Sequence, residues 1–295
     1  MAARQSIEKC GDFTVGCSMT VKTIIITGSA SGIGLKLTNR LFKEGHRILA
    51  TDVNENGLHA AARVHGWDKS RGMMLAVHDV RSTESWEACV ESVVKRWGQL
   101  DVLLNIAGIL IPSYSHEIDE AHIQKHLDIN VKGVMLGTMA AAKHMVMRRE
   151  GHIVNMASLA GVTPVPGLAV YSGSKHAVRG FTLSAALDLK EHGVDVSCVC
   201  PDAVDTPMLD LQKDYEEASL TFSGPQPLTA DEVVAAIVED VLPNKTLETL
   251  LAPNYSGRAQ MARMASLFPD LGMKLGTLIR KQARKSFREK FGARK

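Results

Sequence analysis

Residues 22–27 (KTIIIT) form a β-branched, continuously apolar run. The turn GSASGIG follows at residues 28–34, and Ile33, Leu37 and Leu41 then repeat at helical spacing. A run without a polar face predicts a strand covered on both sides, and so a sheet with helices packed on each face. Strand, glycine turn and helix in this order aim backbone N–H groups and the positive end of a helix at one point, where a pyrophosphate can sit. A GxxxGxG turn is weak by itself. It gains weight from the next apolar run, residues 47–52 (RILATD), because its last residue is Asp52. An acidic group in that place accepts hydrogen bonds from the ribose of a dinucleotide.

Alternation of strands and helices continues with short connections, as a doubly wound sheet requires. The pattern predicts helices near 55–65, 84–97, 120–147 and 171–191. Strands are expected at 72–78, 102–106, 152–157, 194–200 and 247–252. Thr229 and Glu232 form a capping box that opens a helix running to about Asp240. A chain of 295 residues can bury one large α/β core without a second domain. The expected division is a flexible N-terminal extension at 1–20, a nucleotide-binding α/β domain at 21–254, and a basic amphipathic C-terminal extension at 255–295. Residues 205–227, of mixed polarity with a proline-rich end, read as a mobile lid.

Tyr171 and Lys175 stand four residues apart in YSGSK, with Ser158 thirteen positions upstream. Residues one helical turn apart share a face and can touch. The nearby ammonium is expected to favour tyrosinate and to draw the phenol down from its ordinary value of about 10, so that it can accept a proton. Asn130 falls in mid-helix, a poor place for asparagine on propensity alone.

With these residues named, TGxxxGIG at the first turn, NxAG at residues 105–108, Asn130, Ser158, YxxxK at 171–175 and Pro201 ahead of Thr206 resemble the short-chain dehydrogenase/reductase family over roughly residues 21–254. The resemblance implies a Rossmann-type, doubly wound parallel sheet of about seven strands in a single domain, carrying here a C-terminal helical extension. It implies NAD or NADP as hydride carrier and a catalytic set of Asn130, Ser158, Tyr171 and Lys175. In that set Ser158 hydrogen-bonds the substrate oxygen, Tyr171 exchanges a proton with it, Lys175 also holds the nicotinamide ribose, and Asn130 anchors a relay water. Cofactor contacts are implied for Gly28, Ser31, Gly32, Ile33, Gly34, Asp52, Asp79, Val80, Asn105, Ala107, Gly108, Tyr171, Lys175, Pro201, Val204 and Thr206. Ile106 departs from the family's NNAG turn. Asp52 and the uncharged Ser31 favour NAD over NADP, because a carboxylate there repels a 2′-phosphate.

Asp202 follows Pro201 where the family usually has glycine. A carboxylate there would face the oxidised nicotinamide or a polar substrate, or serve the turn. His122 and His126 stand at i and i+4 without the glutamate of an HExxH site, so a solvated helix face is expected and no metal. Five cysteines without a CxxC pair suit a reduced, cytoplasmic setting, and Cys198 and Cys200 read as core packing.

Ile109, Leu110, Leu159, Val162, Leu168, Met208 and Leu209 would make an apolar pocket, which argues against a sugar. The leading reading is an oxidoreductase interconverting an apolar or lipid-like secondary alcohol and its carbonyl, a small-molecule alcohol or ketone. The alternatives are a 3-oxoacyl reductase and a catalytically idle nucleotide sensor or scaffold. The family commonly pairs subunits, so a homodimer or homotetramer is expected, and no nucleic-acid partner. Residues 274–295 hold nine of the 34 Lys and Arg and one of the 32 Asp and Glu. With Leu271, Leu275, Leu278 and Ile279 on one helical face, that tail reads either as packed on its own acidic body or as a peripheral membrane contact.

Overall fold

The computed structural model describes residues 20–224, 226–253 and 257–292, leaving aside the side chains of 269, 271–273, 275 and 278. The extension expected at the N-terminus lies almost wholly outside the described residues. Strand β1 (Thr23–Thr27) enters α1 (Gly32–Lys43) through the glycine turn, and β2 (Arg47–Asp52) returns parallel beside β1. The same step recurs through α2 (Glu55–His65), β3 (Met73–Val77), α3 (Thr83–Trp97) and β4 (Val102–Asn105). It continues with α4 (Glu120–His126), α5 (Gly133–Arg148), β5 (Gly151–Met156), α6 (Ala169–Lys190) and β6 (Val194–Pro201). Short strands β7 (Val204–Asp205) and β8 (Leu228–Thr229) pair with each other on either side of α7 (Pro207–Asp210). Then come α8 (Ala230–Ala236), α9 (Leu242–Asn244), β9 (Glu248–Leu251), α10 (Arg258–Leu267) and α11 (Pro269–Phe291). The main sheet has seven strands in the order β3-β2-β1-β4-β5-β6-β9, parallel throughout.

Period-two alternation divides the interior into two cores. Ile24 and Ile26 face Leu37 and Leu41 of α1 and Val233 of α8, whereas Ile25 points the other way with Leu49, Trp86, Leu103 and Met145. Both faces are covered, which is why these strands carry no polar stripe. Helix starts follow local chemistry: Asn54, Ser82 and Asp119 accept the N–H groups of Gly57, Ser85 and His122, and Thr229 and Glu232 complete the capping box. The single helix expected over 120–147 is instead α4 and α5 joined by a widened π turn, Leu127–Lys132. Asn130 sits in that turn, and such turns recur where a helix is bent to serve a site.

The stretch expected to be a mobile lid folds as α7 and two tight helical turns, Leu211–Asp214 and Glu216–Phe222. Helix α11 lies across the second of these turns. Phe222, Phe287 and Phe291 form a trio with ring centres 4.9–5.6 Å apart, and Ala283 and Phe287 are buried. Arg288 pairs with Glu216 at 2.8 Å, with Arg284 3.9 Å away. An exposed pair such as Arg288 with Glu216 is worth only ~0.2–1 kcal/mol, whereas burying a Phe side chain contributes ~1.5–3 kcal/mol, so the aromatic contact dominates. Of the tail's expected apolar face, the side chains of Leu271, Leu275 and Leu278 lie outside the described residues. Ile279 lines the interior cleft. The described part of the tail is thus packed on its own body.

Replacing Phe287 with Ala should therefore release α11. Buried Phe→Ala changes cost about 3–5 kcal/mol, more than one peripheral helix can absorb. The expected result is faster tryptic cleavage among Lys281, Lys285 and Lys290, with the main unfolding midpoint nearly unmoved. A variant as protease-resistant as the parent would show that the trio does not hold the helix.

Candidate active site

Loops after the strands build the nucleotide end of a cleft of about 1620 Å3. Gly28 has φ +75°, and a β-carbon there would lie 3.1 Å from the Cα of Ala107, so the glycine turn and the turn after β4 meet backbone to backbone. Thr27 Oγ1 ties the two together, accepting the N–H groups of Ile106 and Ala107, each at 3.0 Å. A β-carbon on Gly34 would collide with the carbonyl of Gly28, so α1 can start this close to β1 only with glycine. Asp52 Oδ2 accepts the Ala30 N–H at 2.9 Å and its Oδ1 accepts the Asn54 N–H at 2.8 Å. That fixes the carboxylate beside the glycine turn. Ser31, Gly32, Ile33, Val80, Gly108, Pro201, Val204 and Thr206 line the same cleft.

Two of the residues expected to contact the cofactor at this end are engaged by the chain itself. Asn105 does not line the cleft. Its amide turns into the interior, donating to Asn155 Oδ1 at 2.8 Å, because its place at the end of β4 points its side chain beneath α5. Asp79 does reach the cleft, but its carboxylate is engaged by Arg81 at 2.6–3.0 Å, and that hydrogen bonding holds it below the usual carboxylate range.

At the other end the four catalytic candidates converge. Asn130 is fully buried. Its Oδ1 accepts the Ile109 N–H at 2.8 Å, and its Nδ2 donates to the Ile109 carbonyl at 2.9 Å and to Ser174 Oγ at 3.1 Å. Ser158, just past β5, accepts the Ala160 N–H at 3.1 Å, donates to the Pro201 carbonyl at 3.3 Å, and acts on the Tyr171 phenol by lowering its pKa. Lys175 Nζ donates to the Met156 carbonyl at 2.8 Å and lies 5.7 Å from the centre of the Tyr171 ring.

Burial pushes the Tyr171 phenol up to about 12, against the lowering influence of Ser158, and brings the Lys175 ammonium down to about 8. Burial, and not the charge of Lys175, sets the direction of the phenol's shift. Both groups are enclosed, and desolvation penalises whichever form carries charge.

Sequence reading placed neither His126 nor the extension in this site. His126 is fully buried, not on a solvated face: Nδ1 donates to the His122 carbonyl at 2.7 Å and Nε2 accepts the Ile111 N–H at 3.2 Å. Its ring stands edge-on to Tyr171, centres 6.4 Å apart. All seven candidate pocket residues line the cleft, but Met261, Ala262, Ala265, Thr277 and Arg280 of α10 and α11 close the same wall. Asp202 belongs to this arrangement. Its Oδ2 pairs with Arg258 Nη1 at 3.1 Å, which pins the start of α10 to the end of β6. The opposite charges of tail and body were the available signal.

The chain belongs to the short-chain dehydrogenase family, whose model matches residues 22–217. It is a nicotinamide-dependent oxidoreductase of alcohols and their carbonyls. It is 34% identical over 200 residues to 2-(R)-hydroxypropyl-CoM dehydrogenase of Xanthobacter autotrophicus, covering 66% of this chain and 80% of that relative. Over 228 residues it is 32% identical to a cyclopentanol dehydrogenase of Comamonas sp., covering 74% and 90%. A solved variant of actinorhodin polyketide ketoreductase with NADPH superposes with a TM-score of 0.71 at 32% identity, covering 78% of this chain and 95% of that one.

The Lys175 environment carries a pH signature. Below pH 8 the folded and unfolded chains both keep the lysine proton, and the buried charge is a full cost. Between about 8 and the ordinary 10.5 the folded form has released it while the unfolded chain has not, so stability from this group rises through that window. Tyr171 acts oppositely, but mainly above pH 10, since its folded value exceeds the unfolded one. From pH 8 to 10 the lysine contribution should be about 2 kcal/mol. Urea midpoints of the parent minus those of Lys175→Met should show this rise; a flat difference would contradict the burial of an ionisable Lys175.

Proposed function

We propose that this chain interconverts an apolar secondary alcohol and its ketone using NAD(H) in preference to NADP(H). The observation that carries the reading is the convergence of Ser158, Tyr171, Lys175 and Asn130 at one end of a cleft whose other end is the glycine turn and Asp52. When bound, the nicotinamide supplies the hydride acceptor or donor. The remaining work falls to the chain.

Tyr171 moves the proton at the substrate oxygen, and the Ser158 hydroxyl polarises that same oxygen. With its phenol protonated at neutral pH, Tyr171 is set to donate, which suits carbonyl reduction; oxidation needs the phenolate. Lys175 and Asn130 position the ring and the loop at Ile109. Asp52 supports NAD, since a fixed carboxylate accepts ribose hydroxyls and repels a phosphate. Arg81, the neighbouring cation, is already neutralised by Asp79. Leu110, Leu159 and Leu168 favour an apolar substrate.

Exposed Ile123, Met135, Met139 and Leu187 on α4, α5 and α6 support a homo-oligomer assembled through those helices. Free thiols at Cys89, Cys198 and Cys200 support a cytoplasmic setting. The membrane reading of the tail has less behind it, because Ala283 and Phe287 face the body.

A panel of secondary alcohols and ketones with NAD and NADP, read at the nicotinamide absorbance, tests the proposal. Tyr171→Phe should lower kcat by ~10²–10⁴-fold while leaving NADH binding nearly intact. Asp52→Ser should narrow the preference for NAD. Wild-type turnover by the Phe variant, or tighter NADP(H) binding by the parent, would refute the corresponding part.

A further inference from the structure

An apolar alcohol pocket does not explain the guanidinium that α11 places in its wall. Arg280, on α11, is half-buried and lines the cleft that contains Tyr171. It stands on the side of Tyr114, whose neighbour Ser113 bridges to Leu168, which packs with Tyr171. The guanidinium lies over the Tyr114 ring, 5.8 Å from its centre, and the Arg284 guanidinium lies 5.2 Å from the same centre. The nearby carboxylates are committed elsewhere: Glu216 to Arg288 and Arg284, and Asp202 to Arg258. Among the described residues no carboxylate pairs with Arg280.

A guanidinium keeps its charge at any working pH and offers a planar fork of donors that matches an oxyanion. Stacking on Tyr114 holds the fork in place beforehand, so little side-chain freedom remains to be lost when an anion arrives. Half-burial against apolar walls strengthens such an attraction relative to open water. Arg280 also borders the outer hollow of the same helix, but Lys281 and Lys285 are exposed and line that hollow alone, not the cleft.

We propose that Arg280 recognises an anionic end of the substrate. The alcohol is then apolar through its middle and carries, away from the reacting hydroxyl, a carboxylate or another oxyanion. The proposal rests on the dehydrogenase reading above. It also gives the C-terminal extension a role in recognition, since α11 is the element that brings Arg280 to the cleft.

Matched secondary alcohols of equal chain length, one ending in a methyl group and the other in a carboxylate, test it with the full-length chain and NAD. The acid should show the lower KM at similar kcat. Arg280→Gln should raise KM for the acid about ten- to hundredfold and leave the neutral alcohol unchanged. Arg280→Lys should recover part of the loss, and Lys281→Gln should have no effect. Equal KM values for acid and neutral alcohol at every chain length, or an Arg280→Gln effect that strikes both alike, would overturn the anion site. If neither alcohol is oxidised, the dehydrogenase reading fails by itself. Calorimetric titration of the keto acid into the parent and Arg280→Gln then decides the anion site separately: weaker binding to the variant upholds it, and equal binding removes it.

Discussion

All seven strands of the main sheet run the same way, and that constraint places the chemistry. Parallel neighbours cannot be joined by a tight turn; each needs a crossover helix, so every strand delivers its C-terminal end to one edge. Gly28, Asp52, Asp79, Ala107, Ser158 and Pro201 stand at or just past the ends of six different strands and line one cleft. Helix α6 starts beside the end of β5, so Tyr171 reaches Ser158 and Lys175 reaches the Met156 carbonyl. Strand register, more than any direct contact, sets the distance between the two ends of the site.

Enclosure then decides the state of the catalytic pair. Coulombic reasoning from sequence has the lysine draw the tyrosine down, which would hold in a wet, shallow site. Here both groups lie deep and the charged form of each loses hydration, so the phenol moves up and the ammonium down. Part of the cost is offset locally, by the Met156 carbonyl that accepts from Lys175 and by the lowering influence of Ser158 on Tyr171. Such a pair holds its proton on the tyrosine until a partner for the oxygen arrives.

What could be read from the sequence was whatever depends on neighbours along the chain. The strand-turn-helix at Thr27, the four-residue spacing of Tyr171 and Lys175, the capping box at Thr229 and the apolar strands all express local geometry, and the structure reproduces each of them. Side-chain direction at the end of an element was not legible. Asn105 lies in a motif that suggests a cofactor contact, yet its amide is claimed by Asn155 on the next strand. His126 looks like half of an exposed pair until Ile111, in a separate loop, covers it. Nor were the contacts of residues 205–227 legible, since Phe222 packs on Phe287 and Phe291 near the far end of the chain.

The extension's role follows from where the sheet releases it. Strand β9 pairs in parallel with β6, so its own C-terminal end emerges at the ligand edge, where the Leu251 carbonyl accepts the Asp202 N–H at 2.8 Å. Any chain continuing beyond that point begins at the mouth of the cleft. Arg258 turns back to Asp202, which starts α10 against the opening, and α11 then passes over the Glu216–Phe222 turn before it ends. Asp202, a charge that looks idle in the linear sequence, thus ties the end of β6 to the helix that begins this wall of the cleft.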